Sequence, residues 1–93
     1  MPAHPSPKFY LGAITILQDA EAALRLTGEP AAAYLYEHAY NTADDAIDPD
    51  QPVVNAYTLP NGVQLIVITD RTRTQTVVLT PRDRPTTPNP QAF

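Results

Sequence analysis

The residue best suited to acid–base chemistry in this 93-residue chain is His38, because histidine titrates near neutral pH. Its neighbours in the sequence are Tyr34, Tyr36, Glu37 and Tyr40. No nucleophile accompanies it, since the chain has no cysteine and its one serine is Ser6, near the N-terminus. Nor is there a glycine-rich phosphate loop, an HExxH sequence or a GxSxG sequence. We therefore interpret His38 as a packing residue and predict no catalytic residue.

A second group that could do chemistry is acidic and follows the predicted second helix: Asp44, Asp45, Asp48 and Asp50. Four carboxylates within seven positions suit a hard cation such as Ca²⁺ or Mg²⁺. The EF-hand pattern fails, however, because glycine is missing from the sixth loop position and glutamate from the twelfth. We interpret this cluster as a solvated exit from a helix and predict neither a metal site nor a cofactor.

The arginines form a third group, because charge is spread unevenly along the chain. Six basic and ten acidic residues give a net charge of −4. Residues 9–69 hold one cation, Arg25, against eight acids, whereas residues 70–93 carry four arginines against two acids, namely Arg71, Arg73, Arg82 and Arg84. These arginines suit three roles: keeping an edge strand soluble, docking on an acidic protein surface, or contacting nucleic acid.

The elements that position these residues are clearest in residues 53–80, which predict three antiparallel strands. Asn61-Gly62 between apolar runs is typical of a hairpin. Pro60 favours a type I turn centred on Pro60 and Asn61, with Gly62 left-handed in a bulge. That turn pairs Leu59 with Val63, Tyr57 with Leu65 and Asn55 with Val67. A second turn is predicted at residues 70–73, which contain no glycine.

The middle strand is apolar on both faces, because side chains alternate along a strand. One face carries Val63, Leu65 and Val67, joined in our prediction by Val77 and Leu79. The other carries Ile66 and Ile68, which we expect Val54 and Val78 to join. A strand of this kind needs cover on both sides.

Two helices are predicted upstream, over residues 9–27 and 30–46. Apolar residues recur at helical spacing in the first, and Gly28 is a suitable C-terminal stop. Pro30 suits the first turn of the second helix. A helical hairpin of this kind covers one face of the sheet. Self-association or a partner surface is the simplest cover for the other, although a bent sheet wrapping the helices would also serve. Tyr36 and Tyr40, four residues apart, form a further predicted interface patch.

The predicted organisation is a flexible arm at 1–8, a single α+β domain at 9–81 and a flexible Pro-rich tail at 82–93. Pro-rich segments can bind as polyproline II ligands, although plain solvated tails are the simpler interpretation. The absence of cysteine, of a signal-peptide pattern and of a long apolar run predicts a cytoplasmic protein that does not enter the membrane.

The order of elements resembles that of the small ribonuclease toxins of the RelE and barnase type. The resemblance covers the layout of two helices followed by an antiparallel meander and includes no diagnostic motif. It implies RNA cleavage by side chains on the sheet, and the residues in the matching places are His38, Arg71, Arg73, Thr76 and Arg82.

The sequence as a whole predicts a small α+β protein with an N-terminal helical hairpin on a three-stranded meander. We expect a non-enzymatic protein-binding accessory factor or inhibitor of bacterial or phage type, acting as a homodimer. The predicted interaction residues are Val54, Ile66, Ile68 and Val78 on the sheet, Tyr36 and Tyr40 on the second helix, and Arg71 and Arg73. The alternatives are the RNA-cleaving domain and, third, a nucleic-acid-binding module.

Overall fold

The computed structural model describes residues 7–81 as two helices and a four-stranded mixed sheet. Along the chain the elements are β1 (Ala13–Ile16), α1 (Gln18–Thr27), α2 (Ala31–Asn41), a short 3-10 helix (Asp44–Ala46), β2 (Val53–Thr58), β3 (Gln64–Thr69) and β4 (Gln75–Leu79). Most of the two predicted arms lies outside the described residues. Lys8, at the end of the first, donates its backbone N–H to the Ala39 carbonyl at 2.7 Å.

The first predicted helix is partly wrong, because residues 13–16 form a strand ahead of α1. Ile14, Thr15 and Ile16 are β-branched and favour extended backbone. Gly12, with a φ of 66°, lies so close to Thr74 that a Cβ there would sit 2.2 Å from the Thr74 carbonyl group. This approach brings β1 alongside β4 in parallel, so the sheet has four strands in the order β1-β4-β3-β2 rather than three.

The predicted meander is confirmed for β2, β3 and β4, which pair antiparallel in sequence order. Tyr57 lies opposite Leu65 and Asn55 opposite Val67. The Leu59 N–H donates to the Val63 carbonyl at 2.9 Å, and Gly62 has a φ of 86°. The predicted bulged turn at Pro60-Asn61-Gly62 is therefore present with its register.

The second turn depends on the Asp70 side chain. Its carboxylate accepts the Thr74 N–H at 2.8 Å and the hydroxyls of Thr72 and Thr74 at 3.1 and 2.7 Å. Arg73 takes the left-handed φ of 59° that glycine would adopt more readily. Burial raises the pKa of Asp70, but hydrogen bonds led by that from Thr74 outweigh it and lower the pKa below its usual value.

The first helix ends at its predicted stop, whereas the second ends earlier than predicted. Gly28 caps α1 in the left-handed conformation with a φ of 73°, as predicted. Helix α2 ends at Asn41, five residues before the predicted end at Ala46, because Thr42 is extended and its hydroxyl donates to the His38 carbonyl at 2.5 Å. In residues 7–81, neither helix has the length and apolar character that a bilayer span requires.

Both helices pack on the same face of the sheet. The core joins Ala20, Ala23 and Leu24 of α1 to Leu65, Val67 and Val78, with Tyr34 and Leu35 of α2 against it. We call this face of the sheet the covered face and the opposite one the open face. The ring of Tyr34 lies 5.5 Å from that of Tyr57 between centroids. Burial, followed by the charges of Glu29 and Glu37 respectively, raises the pKa of both tyrosines.

Candidate functional site

The open face carries two rows of neighbouring side chains across the sheet. One row joins Val54, Ile68, Val77 and Thr15, and the other joins Ala56, Ile66 and Leu79, as the strand pairing shows. Within residues 7–81 neither helix packs against this face, because the helical side chains of the core contact the covered face. Exposure varies along the first row, in which Val77 is 6% exposed and Val54 is 57% exposed.

Three of the four predicted sheet residues lie together on the open face. Val54 and Ile68 are paired directly, and Ile66 lies in the next row. Val54 is 57% exposed, whereas Ile66 and Ile68 are half-buried by their lateral neighbours.

The placement of Val78 was predicted wrongly. Val78 pairs with Val67, is 1% exposed and belongs to the core under the helices. Val77 and Leu79 pair with Ile68 and Ile66 and take the open face instead. The predicted turn at residues 70–73 would pair Thr69 with Thr74 and therefore Ile66 with Val77, on the same face as observed. The error therefore lay in the alternation assigned to β4 and not in the turn.

The open face is free of charge. Its strand residues are apolar or neutral, and the ones outside the two rows are Ala13, Thr58, Gln64 and Gln75. The exposed acids Asp19, Glu21 and Glu37 lie on the helices instead, and Asp44, Asp45, Asp48 and Asp50 lie between α2 and β2. The two sides of the molecule therefore differ in charge as well as in polarity.

The covered face contains a buried polar network centred on His38. The Nε2 atom of His38 lies 2.8 Å from the Thr69 hydroxyl, which lies 2.8 Å from the Thr76 hydroxyl. The Thr76 hydroxyl donates to the Leu11 carbonyl at 2.7 Å. On the other side of the ring, the Asn55 Nδ2 group lies 2.7 Å from His38 Nδ1. His38, Thr69 and Thr76 are all 0% exposed.

Backbone carbonyls fix the direction of every bond in this network. The Leu11 carbonyl can only accept, so Thr76 donates to it and must accept from Thr69. Thr69 in turn accepts from His38 Nε2–H, which leaves His38 Nδ1 as the acceptor of one Asn55 N–H. The second Asn55 N–H goes to the Thr42 hydroxyl at 2.8 Å. The network is satisfied throughout with His38 neutral.

The surroundings of His38 keep it in that neutral state. Burial, followed by the positive charge of Arg73, lowers the pKa of His38 to about 4. The Phe9 ring packs edge-on against the imidazole at 5.0 Å between centroids. With no exposed atom and both ring nitrogens engaged, His38 holds the fold together and cannot reach a ligand.

Arg73 is also engaged within the fold. Its guanidinium donates to the carbonyls of Asp48 and Gln51 at 2.9 Å each and to that of Asp70 at 3.0 Å. It lies 5.6 Å from the centroid of the Phe9 ring. Arg73 thus joins the second turn to the segment before β2. Arg71, by contrast, is exposed in that turn, whereas Arg82 and Arg84 lie outside the described residues.

The predicted tyrosine patch lies on the outer side of α2. The rings of Tyr36 and Tyr40 stack with centroids 4.3 Å apart and planes 13° apart, and Tyr36 is 48% exposed. The patch is separate from the open face, because α2 packs on the covered face.

The acidic cluster does not converge on a cation site. Asp44 forms an ion pair with Lys8 at 2.9 Å, and Asp48 accepts the backbone N–H of Asp50 at 2.8 Å. Within residues 7–81, no three histidine or acidic side chains come together as metal ligands would.

The residues that sequence reasoning missed are the polar partners of His38. Asn55 was correctly predicted to pair with Val67, and Val67 was predicted to lie on a face that needs cover. Together these two predictions place the Asn55 amide in the core. A buried amide needs a polar partner, so this pairing was the signal that a network existed.

Comparison of the chain with protein-family models, with curated proteins and with solved structures finds no match.

Proposed function

We propose that this chain is a small non-enzymatic protein-binding accessory factor and that it acts as a homodimer through the open face. The observation that carries the proposal is the pair of apolar rows containing Val54, Ile66 and Ile68, which no described helix covers. Apolar patches of this kind, rimmed by polar residues, are typical of protein-binding surfaces.

Charge supports a second copy as the occupant of this face. Two chains of net charge −4 repel each other, and the exposed carboxylates of the described residues lie on the helices and after them. No strand residue of the open face carries a carboxylate, and stacking open face on open face leaves the acidic helices on opposite outer surfaces. A self-complementary apolar face is what an isologous two-fold contact requires.

The RNA-cleaving alternative needs accessible acid–base side chains. His38 and Thr76 are 0% exposed, and Arg73 is bound to three backbone carbonyls. Arg71 is the remaining residue of that set among those described, and it is exposed in a turn without an acid–base partner nearby in the sequence. The geometry therefore favours binding over this chemistry.

The experiment compares the molar mass of variants by light scattering. Val54→Asp and Ile68→Asp each place a charge in the first apolar row, and both should reduce the mass relative to the unmodified chain. Val54 is 57% exposed, so its variant should remain folded by circular dichroism.

The control is Ala32→Asp, which adds the same charge to an exposed site on α2, away from the open face. It should leave the mass unchanged. A single-chain mass for the unmodified protein, or an unchanged mass for Val54→Asp and Ile68→Asp, would overturn the proposal.

A further inference from the structure

Strand β1 is an edge strand with an unused side. Its inner side pairs with β4. The Ala13 N–H donates to the Thr74 carbonyl at 3.0 Å, and the Leu17 N–H donates to the Val78 carbonyl at 2.9 Å. Backbone groups alternate along a strand, so the N–H and C=O groups of Ile14 and Ile16 point to the other side. Among residues 7–81 no strand pairs with that side.

This edge lacks the usual protection against pairing. Natural edge strands carry charges, prolines or bulges that discourage a further strand. The segment 10–17, YLGAITIL, has no charged residue and no proline. Tyr10 is 78% exposed and Ile14 is 47% exposed. The other edge strand, β2, is bracketed by Pro52 and Pro60.

We infer that β1 pairs antiparallel with β1 of a second copy. This contact uses the strand edge and would join open-face homodimers to one another. It rests on the proposed function only in that the partner is a second copy of the same chain. With the two-fold axis at Thr15, each Ile14 lies opposite the second copy's Ile16, and the two Thr15 residues face each other. Residues 14 and 16 are the ones with outward backbone groups, so both pairs exchange two N–H···O=C bonds.

The side chains of the two copies are complementary at this edge, as their backbone groups are. Ile16 lines a shallow groove of about 420 Å³ beside β1, together with Leu24 and Ala31. In the proposed register the second copy's Ile14 is opposite Ile16 and covers this groove. The exposed surface of Ile14 is covered by the same contact.

Charge also permits this contact. The charged side chains that line the groove are Glu21, Arg25 and Glu29, of which Glu21 and Arg25 form an ion pair at 2.5 Å. The strand residues that meet in the proposed register, Ile14, Thr15 and Ile16, carry no charge. An extended strand of another protein would use the same backbone groups, but it would have no reason to prefer this register.

Cysteine cross-linking tests the register, because the chain has no cysteine of its own. Thr15→Cys places two thiols in a directly opposed pair with Cα atoms about 4.5 Å apart, within disulfide range. Ala13→Cys is the matched control on the same strand: residue 13 would face residue 17, so two copies of it would lie roughly 14 Å apart. Both side chains are exposed.

Thr15→Cys should form covalent dimers on mild oxidation at least ten times faster than Ala13→Cys. Adding Ile14→Pro should abolish this difference, since proline removes an outward N–H and leaves the bonds to β4 intact. Equal rates for the two cysteine variants, or fast linking that survives Ile14→Pro, would overturn the inference.

Repeating the experiment with Val54→Asp separates the two contacts between copies. Fast linking of Thr15→Cys should persist in that background even if the mass of the protein falls. Loss of linking there would show that β1 has no contact of its own, whereas persistence with an unchanged mass would count against the open-face proposal alone.

Discussion

The two faces of the sheet differ in the residue types that they carry, and the difference is the opposite of what the sequence alone suggests. The covered face contains the side chain best suited to acid–base chemistry: His38 is 0% exposed there and is hydrogen-bonded to Thr69 and Asn55. The open face consists of apolar and neutral side chains such as Val54 and Ile68. In this protein, residue types that often perform catalysis stabilise the core, and side chains without acid–base groups lie on the open face. Titratable side chains therefore indicate a site only when the fold exposes them.

The largest predicted effect tests the structural role of the buried network. His38→Ala removes a buried ring and one hydrogen-bond partner each from Asn55 and Thr69, so the free energy of unfolding should fall by about 3 to 5 kcal/mol. Urea denaturation measures this change. Glu37→Ala, at the exposed neighbouring position, should change it by less than about 0.5 kcal/mol. A small loss in the His38 variant would contradict the role assigned to the network.

The second effect is a dependence of stability on pH. The pKa of His38 is about 4 in the folded chain against an ordinary value of 6.5, so between these values the unfolded chain binds a proton that the folded chain does not. This contribution is fully present above pH 6.5 and is lost as pH falls to 4. The full shift corresponds to about 3 kcal/mol.

Urea denaturation at intervals between pH 7.5 and pH 4 measures that slope. His38→Gln should flatten it. The lowered pKa of Asp70 acts in a separate range, because a carboxylate of this kind loses its contribution only below its ordinary value of 3.8. A flat profile in the unmodified protein would show that His38 does not stay neutral in the fold.

The third effect compares the two faces at adjacent residues. Val53 is 1% exposed and Val54 is 57% exposed on the same strand. Val53→Ala should lower the free energy of unfolding by about 2 kcal/mol, and Val54→Ala by less than about 0.5 kcal/mol when measured at low protein concentration. Thermal or urea denaturation of both variants provides the comparison. Equal losses would mean that the open face is covered within one chain.

The smallest effect concerns the backbone at Arg73. Its left-handed φ of 59° suits glycine, so Arg73→Gly should be more stable than Arg73→Ala by about 1 kcal/mol. Both should be less stable than the unmodified chain, because the bonds to the carbonyls of Asp48 and Gln51 are lost. Arg71→Ala is the control and should have no measurable effect on stability. If the Arg73 variants are as stable as the unmodified chain, the fold does not need this arginine, and Arg73 is then available for a role in binding.

Local sequence signals predicted the features that depend on neighbouring residues. Pro60, Asn61 and Gly62 set the first hairpin and its register, which the structure reproduces. Gly28 ends α1 for the same reason, since few other residues adopt its conformation at low cost. The second turn has no such residue and lies one residue later than predicted, at 71–74. Val78 was placed on the wrong face because the alternation of β4 was assigned wrongly.

Features that depend on distant residues could not be predicted in the same way. The segment 9–27 contains alanine and leucine at helical spacing, so a helix was the natural prediction. Ile14 and Ile16 form a strand because β4, about sixty residues later, provides a parallel partner for them. Burial of His38 likewise requires Thr69 and Asn55, which come from two other elements.

The sequence by itself determined the hairpin, the end of α1 at Gly28, the two-sided apolar strand and the uneven distribution of charge, because each follows from side-chain type and short-range spacing. The tertiary structure decided that β1 exists and pairs with β4, and that His38 is buried and neutral. These depend on which distant strands pair and on what then excludes water. That pairing is a property of the whole chain, since the backbone of every strand can form the same hydrogen bonds and only the packing of the core selects one arrangement.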